Sequence, residues 1–136
     1  MKTHFDLTNS EFEKQFKEGI LDPSLFNHEA HIRLAWIYLN KHDIHTACRE
    51  ISTQILAYVT QLNATDKFNK TLTIAAVKTV NHFVLKSKSN CFQDFIAEFP
   101  RLKYNFKDLL YSHYSFDIVN SEKAKTEYLE PDLLPF

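Results

Sequence analysis

The chain has 136 residues, of which 44% are hydrophobic and 24% are charged, and its formal net charge is −1. A chain of this length and composition can bury a core without metals or disulfides, which excludes wholesale disorder. Its single glycine, Gly19, excludes motifs that need several glycines, including the Walker phosphate loop, the dinucleotide fingerprint and the nucleophile elbow.

The predicted elements are all helices. Asn9 or Ser10 caps the first helix, Ser10 and Glu13 form a capping box, and Gly19 ends the helix in a left-handed conformation. His4, ahead of this helix, is expected in a frayed terminus. Caps and apolar spacing then predict helices at 28–41, 44–62, 65–86, 91–98, 103–113 and 122–128.

Apolar and small residues of the predicted helix 65–86 fill an arc of roughly 200° on a helical wheel, wider than a surface helix needs. This predicts that the helix runs through the middle of a bundle. The tail, 130–136, is predicted to be extended, with three apolar residues packed on the bundle. We therefore expect an all-α fold, a single-domain helical bundle over residues 1–136 with about three long and several short helices.

Several features bear on compartment and partners. The amino-terminal segment lacks the apolar run of a signal peptide, and no stretch reaches the roughly 18 apolar residues that span a bilayer. Cys48 and Cys91 lack CxxC spacing, which predicts buried free thiols in a reducing cytoplasm. Near-zero net charge argues against nucleic acid as the main partner. The lysines between Lys67 and Lys88 are assigned to a solvated helix face.

The densest cluster of chemically useful groups runs from Phe26 to Trp36. His28 and His31 lie three positions apart at the start of a predicted helix, so their side chains share one face. Two such imidazoles can share a metal ion, or one can act as a base while the other binds. A metal site needs a third ligand from another helix, for which His113 is the first candidate. Histidines in a first helical turn are also often ordinary surface residues, and this alternative stays open.

Three blocks of the sequence follow a shared pattern. Residues 26–39 have the form F-x-H-x-x-H-[LV]-R-L-A-W-x-Y-L, with Ile32 at the bracketed position. Residues 68–73 correspond to Y-H-E-T-[IL]-T, and a third block from His113 ends in P-D-L at Leu133. In these blocks the chain resembles a family of small uncharacterised bacterial proteins. The resemblance implies a shared helical fold and carries no settled activity.

In that pattern the second block supplies a histidine and a glutamate. With the two histidines of the first block they would make three imidazoles and a carboxylate, a set that could bind a metal or perform acid–base work. This chain has Asn69 and Lys70 at those positions. Either a metal-dependent reaction has been lost, or the site uses His28 and His31 with Asn69 and Thr73 as hydrogen-bonding groups.

These patterns favour a polar pocket between the helices that carry His28 and Asn69, binding a small molecule, with any reaction on it left open. His28 and His31 are the predicted groups for proton transfer or anion contact. The predicted ligand-binding residues are Trp36, as a wall of the pocket or part of the core, and Asn69, Thr71 and Thr73.

Two alternatives come from other classes. One is an interaction module that presents an aromatic face to a second copy of the chain or to a partner protein. The residues that would form that face are Phe92, Phe95, Phe99, Phe106 and Tyr111. The other is a metal-dependent enzyme with a degenerate two-histidine site.

Overall fold

The computed structural model describes residues 2–136, and within them it contains eight α-helices and no strand, which confirms the all-α prediction. The helices are α1 (Asn9–Lys17), α2 (His28–Leu39), α3 (Ile44–Gln61), α4 (Lys70–Val84), α5 (Phe92–Glu98), α6 (Arg101–Tyr104), α7 (Phe106–Tyr111) and α8 (Glu122–Thr126). Single turns of 3₁₀ helix lie at His4–Asp6, Pro23–Leu25 and Thr65–Lys67.

Side-chain caps start the long helices. Asn27 accepts a hydrogen bond from the backbone N–H of Ala30 at 2.9 Å, and it begins α2 where predicted. The predicted start of α1 is wrong, because Thr8 and Glu11 form the reciprocal capping box. The T-x-x-E pattern at Thr8 and the S-x-x-E pattern at Ser10 are equivalent signals, and the chain uses the earlier one.

Two predicted helices are interrupted. The one expected over 65–86 begins at Lys70, because Asn69 caps it by accepting from the N–H of Leu72 at 2.9 Å. The one expected over 103–113 is divided at Asn105, whose backbone leaves the helical region. Gly19 has φ +74°, so the predicted left-handed end of α1 is confirmed.

The most completely buried helix is α2. Eight of its twelve residues are buried, whereas α4 buries five of fifteen. As predicted, α4 runs through the middle of the bundle, since it packs against α2, α3, α7 and α8. Part of the broad apolar arc of α4 is only half-buried, because it faces a cavity instead of packed side chains.

The segment before α1 is tied to α2. The buried guanidinium of Arg33 donates to the carbonyl oxygens of His4 at 2.5 Å and Leu7 at 2.8 Å, and to Asn9 Oδ1 at 2.9 Å. His4 is 1% exposed, and its Nε2–H donates to Glu29 at 2.8 Å. The expectation of a frayed terminus at His4 is thus wrong, because these bonds hold the segment in place.

The tail after α8 is held by polar contacts. The backbone N–H of Leu133 donates to the carbonyl of His113 at 3.0 Å, and Asp132 accepts from the backbone N–H of Ser115 at 2.9 Å. Leu133 and Leu134 remain 59% and 52% exposed, so the predicted apolar packing of the tail is wrong for them.

Two further predictions concern compartment. No helix within residues 2–136 combines the length and apolar character needed to cross a bilayer. Cys48 and Cys91 are both free thiols. Cys48 is buried as predicted, whereas Cys91 is exposed, because it lies just ahead of α5.

Candidate functional site

A cavity of about 750 Å³ lies between α2, α3 and α4 and extends to α6 and α7. This volume falls in the range of roughly 300–1,000 Å³ that is typical of small-molecule sites. His28, His31, Asn69 and Thr73 all line it, so the structure brings together four of the residues selected from the sequence. The deep wall is apolar and includes Ile32, Ala35, Ile51, Ile55, Ala76 and Val77.

His31 faces this cavity. Its imidazole lies parallel to the ring of Phe26, with the centroids 3.9 Å apart and the planes inclined by 21°. The residue is exposed, and it lines the cavity. Desolvation of the ring by nearby protein, together with the neighbouring His28, lowers the pKa of His31 to about 4. The imidazole is therefore neutral at neutral pH, and no protein group in residues 2–136 hydrogen-bonds it.

His28 has one nitrogen already bonded. Its Nε2 lies 3.0 Å from the carbonyl oxygen of Leu102 in α6. Because a carbonyl only accepts, the Nε2 carries the hydrogen, and in the neutral ring Nδ1 is left as an acceptor. The ring also meets Phe106 edge-on, with the centroids 5.0 Å apart. His28 therefore fastens α6 to the start of α2 and offers one remaining nitrogen to a ligand.

The two polar residues of α4 differ in what they leave free. Asn69 donates from Nδ2 to the carbonyl of Ile118 at 2.7 Å, and its Oδ1 caps α4. Both ends of this amide are thus bonded within the protein. The Thr73 hydroxyl has no hydrogen-bond partner among residues 2–136, although it lines the cavity. Among the residues that the sequence singled out, the groups left free for a ligand are therefore the imidazole of His31, Nδ1 of His28 and the hydroxyl of Thr73.

Two other predicted ligand-binding residues lie outside the cavity wall. Trp36 is in the core, with its ring centroid 6.0 Å from that of Phe92. The Thr71 hydroxyl donates to the carbonyl of Glu127 at 2.7 Å and accepts from the backbone N–H of Leu129 at 3.0 Å. Thr71 therefore holds the chain after α8 against α4.

His113 lies apart from the two cavity histidines. Its Nδ1–H donates to the carbonyl of Leu134 at 2.6 Å, and its ring stacks on Phe136 with centroids 4.0 Å apart. No group of three or more His, Cys, Asp or Glu side chains within residues 2–136 is placed to hold a metal ion. The third ligand that a metal site would need is therefore not supplied by His113.

The aromatic residues considered for an interaction face are largely packed inside. Phe92 and Phe95 are buried, and Phe99 and Phe106 pack half-buried against the core. Tyr111 is half-buried as well. A contiguous exposed aromatic surface, which would favour an interaction module, is not formed by these five residues.

Three exposed lysines, Lys67, Lys103 and Lys107, line the cavity. The prediction of a solvated helix face for Lys67 is right in its exposure but wrong in its element, and no prediction placed Lys103 or Lys107 at a pocket. Lys103 pairs with Glu29 at 3.1 Å, whereas neither of the other two makes an ion pair with a carboxylate in residues 2–136. Lys67 lies in a 3₁₀ turn, which has no helical periodicity to reveal its direction. The four-residue spacing of Lys103 and Lys107 was the available signal.

Comparisons with protein-family models, with curated proteins and with solved structures give no match to this chain. Its function is therefore argued from the geometry and chemistry of the cavity.

Proposed function

We propose that the protein binds a small organic molecule in the cavity between α2, α3 and α4, with His31 as its principal polar contact. The observation that carries this proposal is the unpartnered imidazole of His31 on the wall of a mostly apolar cavity. Because the imidazole is exposed to the cavity and makes no hydrogen bond within residues 2–136, its nitrogens are available to a ligand. The apolar part of such a ligand would fill the rest of the cavity.

Binding has more support than catalysis. A general base works best when its pKa lies near the working pH, and the pKa of His31 is lowered to about 4. His28 is tied to the carbonyl of Leu102. Proton transfer by these two histidines, with or without a metal ion, therefore stays a weaker candidate.

The proposal also covers the cellular compartment of the protein and the family that it resembles. We place the protein in a reducing cytoplasm, because both Cys48 and Cys91 are free thiols. We also propose that the chain is related to the small bacterial proteins that it resembles. The first of the shared sequence blocks includes the first turn of α2, which carries the two cavity histidines.

The test uses the neutral fluorescent probe N-phenyl-1-naphthylamine and two matched alanine variants. Ala76 lines the cavity, whereas Ala57 is an exposed residue of α3 outside it. We expect saturable binding of one probe per chain, and Ala76→Phe should weaken it roughly tenfold by filling the cavity, a loss of about 1.4 kcal/mol. Ala57→Phe should leave the affinity unchanged.

Circular dichroism establishes that each variant is folded. If Ala76→Phe does not fold, Thr73→Phe blocks the same cavity from a half-buried position. The absence of saturable probe binding to the natural chain, or equal binding by a folded blocked variant, would contradict the proposal.

A further inference from the structure

We infer that the cavity selects an amphipathic organic anion, a molecule with one carboxylate on an otherwise apolar chain or ring. This inference rests on the proposed function, because it specifies the ligand class of the same cavity. Three independent features of the wall carry it: its charged groups, the direction of its helices and the order of polar and apolar residues along them.

The charged groups of the wall have one sign. Lys67, Lys103 and Lys107 line the cavity, and no aspartate or glutamate among residues 2–136 does. Glu29 balances only Lys103. Unopposed cations beside a low-dielectric cavity attract anions and disfavour cations.

Two helix amino termini lie at the same end of the cavity. The short connections 40–43 and 62–69 each reverse the chain, so α2 and α4 run in the same direction. The wall includes Asn27 and His28 at the start of α2 and Asn69 at the start of α4. Each amino terminus carries a partial positive charge, and the opposing carboxyl end of α3, where Tyr58 and Val59 line the cavity, offsets one of the two.

The polar wall residues of α2 and α4 lie at the amino-terminal ends of these helices. On α2, the polar wall residues His28 and His31 are followed by the apolar Ile32 and Ala35. On α4, Asn69 and Thr73, with the apolar Leu72 between them, are followed by Ala76, Val77 and Val80. The polar end thus suits a carboxylate, to which the neutral His31 can donate its N–H. The apolar end suits a hydrocarbon body.

The test compares three probes with the same ten-carbon chain and different head groups: decanoate, decan-1-ol and decylamine. Displacement of N-phenyl-1-naphthylamine is measured at about pH 7.5, where the carboxylate and the ammonium are both charged. Decanoate and decylamine are kept below their micellar concentrations, and decan-1-ol is kept below its solubility limit. We expect decanoate to displace the fluorescent probe at a concentration roughly tenfold lower than decan-1-ol. Decylamine should be the weakest of the three.

Lysine variants test the source of the selectivity. The double variant Lys67→Gln and Lys107→Gln should weaken decanoate binding roughly three- to tenfold and leave decan-1-ol binding unchanged. The double variant Lys14→Gln and Lys17→Gln is the matched control, since both lysines are exposed on α1 and neither lines the cavity. This control should change the affinity for neither decanoate nor decan-1-ol.

The possible outcomes distinguish a failure of the anion inference from a failure of the proposed function. If the fluorescent probe binds but decanoate and decan-1-ol displace it equally, the anion inference is overturned while the proposed cavity stands. Equal loss of decanoate affinity in the control that replaces Lys14 and Lys17 also overturns it, because the effect would then be one of net charge. If the fluorescent probe does not bind the natural chain at all, the proposed function itself fails.

Discussion

The imidazole of His31 is stacked on the ring of Phe26, 3.9 Å away between centroids. Phe26 in turn contacts Phe16 and Tyr58, with centroid separations of 4.8 and 5.3 Å. Stacking therefore orients the imidazole without using either of its nitrogens. The arrangement holds a hydrogen-bonding group in a fixed direction while leaving it available to a ligand.

Replacement of His31 by leucine is expected to separate binding from stability. Because the imidazole has no protein hydrogen bond, the free energy of unfolding should change by less than about 1 kcal/mol. The affinity for decanoate should fall roughly tenfold or more, as expected for one hydrogen bond to a charged group. Urea denaturation and displacement of the fluorescent probe measure the two effects.

His45→Leu is the control for this substitution, since His45 is exposed on α3 and lies outside the cavity wall. It should affect neither quantity. A loss of several kcal/mol in the His31 variant would instead show that this histidine is structural.

The pair Thr71→Val and Thr73→Val distinguishes a structural from a ligand-facing hydroxyl on the same helix. Thr71→Val removes the donor to the carbonyl of Glu127 and leaves the N–H of Leu129 without its acceptor. We expect it to cost about 1–3 kcal/mol of stability with little change in probe affinity. Thr73→Val should show little change in stability and weaker decanoate binding. If urea titrations and displacement assays gave the opposite pattern, Thr73 would carry the structural hydroxyl and Thr71 the ligand-facing one.

The sequence was informative where short-range signals decide the structure. The caps at Asn27 and Asp43 and the spacing of His28 and His31 depend on residues within one or two turns of each other. Asn69 lines the cavity between α2 and α4, and its position at the start of a helix follows from local sequence. Its amide, however, is bonded to Ile118, 49 positions along the chain, and no local pattern could reveal that contact.

The surroundings of His4 could not be read from the sequence for the same reason. Its partner Glu29 lies 25 positions away, and Arg33 lies 29 positions away. A polar residue near a terminus is ordinarily mobile, and only long-range hydrogen bonds overcome that tendency here. The breadth of the apolar arc on α4 was a real signal, but a cavity and a packed core produce the same pattern.

Among the residues that make these long-range contacts, Arg33 is expected to have the largest effect on the free energy of unfolding when it is replaced. Arg33→Met leaves the carbonyls of His4 and Leu7 without their donor and should lower the free energy of unfolding by about 3 kcal/mol. Arg33→Lys should recover only part of this, because an ammonium group cannot reproduce the planar arrangement of guanidinium donors. Arg49, exposed on α3, supplies the control Arg49→Met, for which urea denaturation should show a change below about 0.5 kcal/mol. Equal effects at the two arginines would contradict the assignment.

Acid is expected to destabilise the protein through two histidines. Burial lowers the pKa of both His4 and His31 from the ordinary value of 6.5, in the latter to about 4. As the pH falls, these histidines are therefore protonated in the unfolded chain before they are protonated in the folded chain. Their contribution to the free energy of unfolding is complete above pH 6.5 and is lost as the pH falls through the folded-state pKa. The groups that face them are Glu29, Arg33 and Lys103 around His4, and His28 beside His31.

The measurement is the urea midpoint between about pH 7 and pH 4, with the histidine signals followed by NMR. The midpoint should fall over this range, and the fall should be smaller in His31→Leu than in the natural chain. His45→Leu should keep the natural slope. A His31 signal that titrates near pH 6.5 would contradict the expectation.

The burial of α2 has a consequence for how a ligand meets the cavity. From Ile32 to Tyr38 every residue of this helix is buried, and Arg33 fastens its outer side to the amino-terminal segment. The helix that presents His28 and His31 is thus rigid before any ligand arrives, and little conformational entropy remains to be lost at these groups on binding. We expect association to need little rearrangement of the groups that receive the ligand.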